Sequence, residues 1–300
     1  MWFKNLQVYR FPAPWKITAS DLEQQLGAQA FRGATGFEMQ SQGWTSPREG
    51  EGLVHSVQGQ FLLALCTEKK LLPSSVIKEV TKLRAQEAEE RQGYKPGRKQ
   101  MRDLKEQVID ELLPRAFNVR RNTWVWIDPT NGWLVIDAGS PGKADEVIVN
   151  LNKCLDDFVV ERLDTVTSAG SAMTAWLAAD DVPSGFTIDQ DTELQSPIEE
   201  KATVRFVRHT LDPKEVQRHI SSGKQCTRLA LTWMGRVSFV LTETLVVKRV
   251  TPVDVIRESE ESSAMSDDER FDSDIALMTG ELARLLADLV EALGGVKKGD

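Results

Sequence analysis

Long hydrophobic runs, cysteine and histidine are all scarce in this 300-residue chain, and each shortage excludes a class of protein. The longest uninterrupted apolar stretch runs from Phe61 to Cys66, far short of the roughly 20 residues that span a bilayer. The opening MWFKNLQVYRFPAPW has no apolar leader and no small-residue cleavage site, so a cytoplasmic location without membrane contact is expected. Cys66, Cys154 and Cys226 are odd in number, unclustered and set among apolar neighbours, which fits buried thiols in a reducing compartment. His55, His209 and His219 offer no pair at ligand spacing, so neither a metal nor a cofactor is expected.

Catalytic motifs are missing as well. Gly139-Ser140-Pro141-Gly142-Lys143 stands where a phosphate loop would, but its glycines are too close together and Ala144 replaces the magnesium-binding Ser/Thr. No G-x-S-x-G elbow occurs, and no histidine has a serine or cysteine partner suggested by spacing. The carboxylates of 258–274 could serve a two-metal nuclease, but a segment without apolar residues to hold it rigid is better read as a solvated linker.

What is present is enough apolar residue for folding, 41% against 27% charged, and an uneven distribution of charge. Residues 69–121 carry 14 Lys/Arg against 8 Asp/Glu, and 201–250 carry 10 against 3, leaving 13 basic and 34 acidic residues elsewhere within a net of −8. Either the two basic stretches meet as one positive surface for a polyphosphate on an otherwise repelling protein, or they are two solvated faces.

Periodicity predicts an α+β fold. Met1 to Phe11 alternates as a strand, ended by Pro12 and Pro14; Gln58 to Leu72 reads as a strand, a turn at Thr67 to Lys70 and a short return. Ser74 to Gln92 and about Gln100 to Leu113 form a basic helical excursion broken at Tyr94 to Lys99. Thr123 to Ile127 and Trp133 to Asp137 flank Asn131-Gly132, a strong hairpin signal because that pair supplies positive φ angles. Strands are expected over Ala202–Arg208, Gln225–Trp233, Val237–Leu241 and Leu245–Val250, and an amphipathic helix from about Asp274 to Leu293. Pro73 to Glu79 is echoed by Pro252 to Glu258, which suggests two related halves, each a sheet with helices on one side, or a coincidence over seven residues. The expected units are an N-terminal sheet unit at 1–72 with 117–160, the excursion at 73–116, a C-terminal sheet unit at 161–250, and an acidic linker with the last helix at 251–300.

The candidate site is a set of cations near strand and loop ends: Arg115, Arg120 and Arg121 before the hairpin, then Arg205, Arg208, His209, Lys214, Arg218 and Lys224. Arg and Lys neutralise phosphates and release counterions, which gives tight, salt-sensitive binding of DNA that reads little sequence. Lys95, Arg98, Lys99 and Arg102 either add contacts or keep the excursion soluble. Of the eight tryptophans, Trp124 and Trp126 share a strand face and Trp133 lies across the turn, a pattern of packing rather than base stacking.

MWFKNLQVYR at the start, LLPRAF at 112–117, WID and NGWLVID within 126–137, and RFDSDIALMTGELARLLADLVEALGG at 270–295 together resemble the recombination-associated RdgC family. The resemblance implies a nucleoid-associated, sequence-tolerant binder of double-stranded DNA, a ring-shaped homodimer with a positive hole, and restraint of the RecA recombinase by occupation of its DNA. It also implies that Arg115, Arg120, Arg121, Arg205 and Arg208 belong to the basic inner surface. Relatives often have Lys-Lys-Gln where this chain has Val207-Arg208-His209, so one charge is lost or becomes pH-dependent. A metal-dependent nuclease acting through 258–274, and a scaffold for acidic partners, stand as the rival readings.

Overall fold

In the first strand, β1 (Asn5–Arg10), Leu6 and Val8 point to one face and Tyr9 and the following Phe11 to the other, and all four are buried. Side chains alternate along a strand, so this one has to be covered on both sides. The computed structural model describes residues 1–36, 38–48, 50, 52–198, 201–208, 212–253 and 266–297, and it sets β1 in the middle of a twelve-stranded antiparallel sheet. On one side of β1 lie β6 (Trp133–Asp137), β5 (Asn118–Asp128), β4 (Gln60–Lys70) and β2 (Gln40–Thr45), with β3 (His55–Val57) also paired to β4. On the other lie β12 (Val247–Pro252), β11 (Val237–Thr242), β10 (Gln225–Trp233), β8 (Phe186–Gln195) and β9 (Thr203–Phe206), with β7 (Glu161–Arg162) paired to the end of β1.

Helices cover both faces of the N-terminal strands, where one was expected, whereas among the described residues they cover the C-terminal strands on one face, as expected. Against the face of Leu6, Leu62, Trp126 and Val135 pack α5 (Ala169–Ala179), Val216 of α6 (Pro213–Ser221) and the long α7 (Asp267–Ala292). Against the face of Tyr9, Leu63, Ile127 and Ile136 pack α1 (Ala19–Leu26) and α4 (Pro141–Asn152). The continuous apolar runs of β4 and of the β5–β6 hairpin require the second layer, since residues of both parities are buried there.

Three other expectations change. No turn interrupts 67–70: β4 runs straight to Lys70, because Glu68 is paired across to Arg120 and the outer strand end is solvated. The last helix begins at Asp267, capped by Ser266 in a reciprocal box with Glu269, so the acidic linker expected over 258–274 is helix from 267 onward, while its residues up to 265 lie outside those described. At the hairpin turn only Gly132 has positive φ, +71°. The buried Asp128 carboxylate organises the loop by accepting hydrogen bonds from Thr130 N, Asn131 N and Asn131 Nδ2. Of the second copy of the echoed segment, only Pro252 and Val253 fall among the described residues.

The excursion forms as read, α2 (Ser74–Gln92) and α3 (Arg98–Leu112), with Gly93 ending α2 at φ +79°. Its buried residues, Ile77, Thr81 and Val108, all lie toward the sheet end. α7 carries Ile275, Met278, Leu282, Leu285, Leu286 and Leu289 into the core, and its wholly buried Glu281 accepts from Arg236 at 2.9 and 2.7 Å and from Arg284 at 2.7 Å. Among the described residues no helix is long and apolar enough to cross a membrane.

Candidate nucleic-acid interface

α1 and α4 cover their sheet face only over the N-terminal strands. Over β8 to β12 no helix among the described residues lies on the same face, and many of the side chains that would point into a core there are charged. They line an open groove of about 350 Å³ that includes Asn5, Glu193, Arg205, Arg228, Lys248 and Arg249. Strand parity explains the arrangement: Phe186, Leu194, Phe206, Leu229, Leu231 and Phe239 turn toward α5 and α7, and their neighbours turn into the groove.

Glu193 forms the floor. Its side chain is 11% exposed and accepts from Thr227 Oγ1 at 2.8 Å and from Arg205 Nε, directly opposite on β9, at 2.5 Å, with Arg228 Nε 3.9 Å away. Burial alone would raise this carboxyl, but the Thr227 and Arg205 hydrogen bonds and the Arg228 charge outweigh it and hold Glu193 below its usual range. Asp191 accepts from the Arg208 backbone N–H at 2.8 Å and lies 3.5 Å from Arg249 Nη1. Arg205 uses Nε inward, so the outer edge of its fork faces solvent, and Arg205, Arg228 and Arg249 are 64%, 52% and 74% exposed. Four cations over two carboxylates leave a net positive groove suited to phosphate oxygens.

A bulge contributes two of those cations. Between the Ser238–Thr251 and Val240–Lys248 pairs, β12 has one residue more than β11, and Arg249 takes up a left-handed φ of +53°. Successive residues of a regular strand face opposite ways, whereas here Lys248 and Arg249 both line the groove.

The other cations expected at the site lie elsewhere. Arg120 sits opposite Glu68 in the β4–β5 register, its Nε 2.5 Å from the buried carboxylate, and its guanidinium stacks 5.2 Å from the Phe31 ring centre. That hydrogen bond, with one from Ala34 N, holds Glu68 below the usual carboxylate range. By strand parity Arg120 shares the face of Trp124 and Trp126, while Arg121 projects from the face of the groove. From β5 to β9 there are seven strand steps, about 34 Å along the sheet, so within one chain the two basic stretches do not merge. Arg115 is exposed in the turn between α3 and β5. Lys214 is exposed at the start of α6, on the far face from the groove, and Lys224 Nζ lies 3.4 Å from Ser222 Oγ just before β10. Arg208 is exposed beside the groove, and His209 lies outside the described residues.

Reasoning from sequence missed Arg228, Lys248, Arg249 and Asn5. One signal for Arg228 was available, a lone charge inside the apolar run of Gln225–Trp233, where only an outward position tolerates it.

The aromatic and acidic alternatives have other employment. Trp126 is fully buried and donates to Gln60 Oε1 at 2.8 Å; Trp133 is buried with the Arg10 guanidinium 3.9 Å over its ring. On α7, Asp268 and Asp272 pair with Arg48, Asp272 also lies 3.0 Å from His55 Nε2, and Asp274 takes the chain's amino group at 2.6 Å. Among the described residues no group of three His, Cys, Asp or Glu is placed to hold a metal ion. Burial pushes the Cys226 thiol up to about 12, which makes it an inert core group.

The family model described as "Putative exonuclease, RdgC" matches residues 1–296. The chain is 63% identical over 295 residues to the recombination-associated protein RdgC of Herminiimonas arsenicoxydans, covering 98% of each, and 63% identical over 295 residues to that of Janthinobacterium sp. (strain Marseille), again covering 98% of each. It is 60% identical over 298 residues to the protein of the same name from Cupriavidus necator, covering 99% of this chain and all of that one. With a charged sheet face where a helix layer could lie, an end-to-end family match and relatives of this identity, the chain belongs to the RdgC family.

Proposed function

We propose that this protein is a non-catalytic, sequence-tolerant binder of double-stranded DNA that acts in recombination at the nucleoid. The observation that carries the reading is the bare sheet face, where Arg205, Arg228, Lys248 and Arg249 stand over Glu193 and Asp191. Guanidinium and ammonium groups presented from a flat surface meet phosphates, which position a duplex without reading its bases. The names of the relatives supply the recombination context. The α7 carboxylates are engaged by Arg48, His55 and the amino terminus, an arrangement that favours a structural role over a nuclease one.

In this reading two copies close into a ring, and the Arg115, Arg120 and Arg121 group of one region joins the groove cations of the other around one duplex. RecA is restrained because its DNA is occupied. Phe117, 82% exposed, and Ile198, 90% exposed, are apolar side chains available for contact between copies.

The test is binding of a duplex of about 30 base pairs across salt concentrations, beside a scrambled duplex, with solution mass measured in parallel. Expected are equal affinities, a dimeric mass and a slope on the order of six to ten released ions. Changing Arg205, Arg228, Lys248 and Arg249 together to Gln should flatten that slope by about 3 to 4, at about 0.9 per phosphate contact. Magnesium should leave the duplex at full length; shortening would favour the nuclease, and no binding would leave the groove a solvated face.

A further inference from the structure

Within the charged sheet face, three guanidinium groups from three different strands meet over a short stretch of β8. Arg205 comes from β9 and Arg228 from β10, with Nε 2.5 and 3.9 Å from the Glu193 carboxylate. Arg249 comes from β12, beyond β11 and β10, and its Nη1 lies 3.5 Å from Asp191. Asp191 and Glu193 are two residues apart, about 7 Å along the strand, so the three cations crowd into a space the size of one small anion. Lys248 lines the same hollow. Arg205 engages Nε and Arg249 engages Nη1, which leaves other N–H donors of each fork for a ligand. At about 350 Å³ the hollow falls within the range of small-molecule sites, and Val240 and the 64% exposed Val207 give it an apolar side.

We propose that this hollow binds a free triphosphate group, inorganic or carried on a nucleotide, and that the occupant competes with duplex DNA for the same cations. The competition rests on the duplex-binding reading above; the triphosphate site itself does not. Backbone phosphates carry one charge each and are spread along the strand, so a duplex laid across the face offers a single hollow only about one or two of them. A triphosphate chain concentrates several charges in one place, and its oxygens take paired N–H bonds from guanidinium forks. Asp191 and Glu193 hold the guanidiniums in position while cancelling part of their charge, and four cations over two carboxylates still leave a positive balance. Occupancy by duplex then falls as the concentration of free triphosphate rises.

The experiment titrates the full chain by calorimetry with inorganic tripolyphosphate and with adenosine triphosphate, without DNA or magnesium and at matched ionic strength. Saturable binding of both is expected. The double variant Arg228→Gln, Arg249→Gln should weaken it by at least about tenfold, and Lys143→Gln with Lys153→Gln, at the ends of α4, should leave it unchanged. No saturable binding, or equal weakening by both variants, would overturn the proposal and leave only a diffuse ion atmosphere. Binding of adenosine triphosphate alone would also overturn it, since the base and not the phosphate chain would then be the ligand. In the unchanged protein tripolyphosphate should protect Lys248, and not Lys143, from amine modification, a readout that does not depend on how a variant folds; Lys248 still reactive at saturation would count against the site. Added to a bound duplex of about 30 base pairs, saturating tripolyphosphate should lower the affinity and flatten the salt slope by about 3 to 4, and unchanged duplex binding would overturn the competition. A chain that bound tripolyphosphate but no duplex would remove the duplex-binding reading and keep the triphosphate site, whereas a chain that bound duplex but no tripolyphosphate would do the reverse.

Discussion

One face of the sheet has two fates. Over the N-terminal strands Tyr9, Leu63, Ile127 and Ile136 lie beneath Leu22 and Leu26 of α1 and Ala144, Val147 and Leu151 of α4. Over the C-terminal strands the same face carries Glu193, Arg205, Arg228 and Lys248 and, among the described residues, has no helix above it. An antiparallel sheet needs only one face buried to be stable, and α5 with α7 already buries the other. The difference teaches that the C-terminal half gains its charged surface by leaving a layer out. The N-terminal half, covered on both faces, carries its cations at strand ends, on the hairpin and on the covering layer itself, as at Lys143 and Lys153 of the α4 ends.

The contrast is easiest to break in the core. Leu151→Ala, on the buried face of α4, should cost about 3 kcal/mol in denaturant unfolding, whereas Val240→Ala, on the bare face, should cost less than about 1 kcal/mol. Equal losses would mean that both faces are load-carrying. Arg249→Gly relieves the left-handed φ at the bulge, so stability should rise by up to about 1 kcal/mol while the salt slope of DNA binding flattens by about 0.9. A variant that became less stable would show that the bulge needs its side chain.

Acid should act on both halves, because Glu68 and Glu193 are each held below the usual carboxylate range by an arginine on the neighbouring strand, with Thr227 adding to the effect on Glu193. A depressed carboxyl contributes stability above its unfolded value, about 4, and loses it as pH falls through the lower folded value. The melting temperature should therefore drop as pH is taken from about 5 to 3, and the double variant Glu68→Gln, Glu193→Gln should be less stable at neutral pH with a shallower acid drop. Equal acid slopes would remove these pairs from the account. The smallest effect is expected at β5: changing Arg120 and Arg121 to Ala should flatten the salt slope by nearer 0.9 than 1.8, since Arg120 is already tied to Glu68 and Arg121 projects from the groove's face of the sheet.

Much of this was legible in the sequence wherever one period dominates. The alternation of β1, the hairpin around Gly132, and the apolar face of α7 formed as read, with Leu282, Leu285, Leu286, Leu289 and Leu293 in the core, whereas α2 is a helix over the expected residues but buries Ile77 and leaves Val76 and Leu83 exposed. β8 has a signal that the sequence reading does not use: Phe186, Thr192 and Leu194 alternate with Asp189, Asp191 and Glu193, and the three carboxylates mask the strand period. The groove was not legible. Sheet order sets which basic residues meet, and β9 and β12 approach it from opposite flanks of β8, β10 and β11. The bulge that turns Lys248 and Arg249 to one side has an arginine where a glycine would have signalled it.

The central claim is that the bare face, not the covered one, meets the duplex, and lysine reactivity reads both faces at once. With a duplex of about 30 base pairs bound, Lys248 in the groove should become protected from amine modification, while Lys143 and Lys153, at the two ends of α4 on the covered half, should react as they do in the free protein. Protection of Lys143 and Lys153 with Lys248 still reactive would contradict the account.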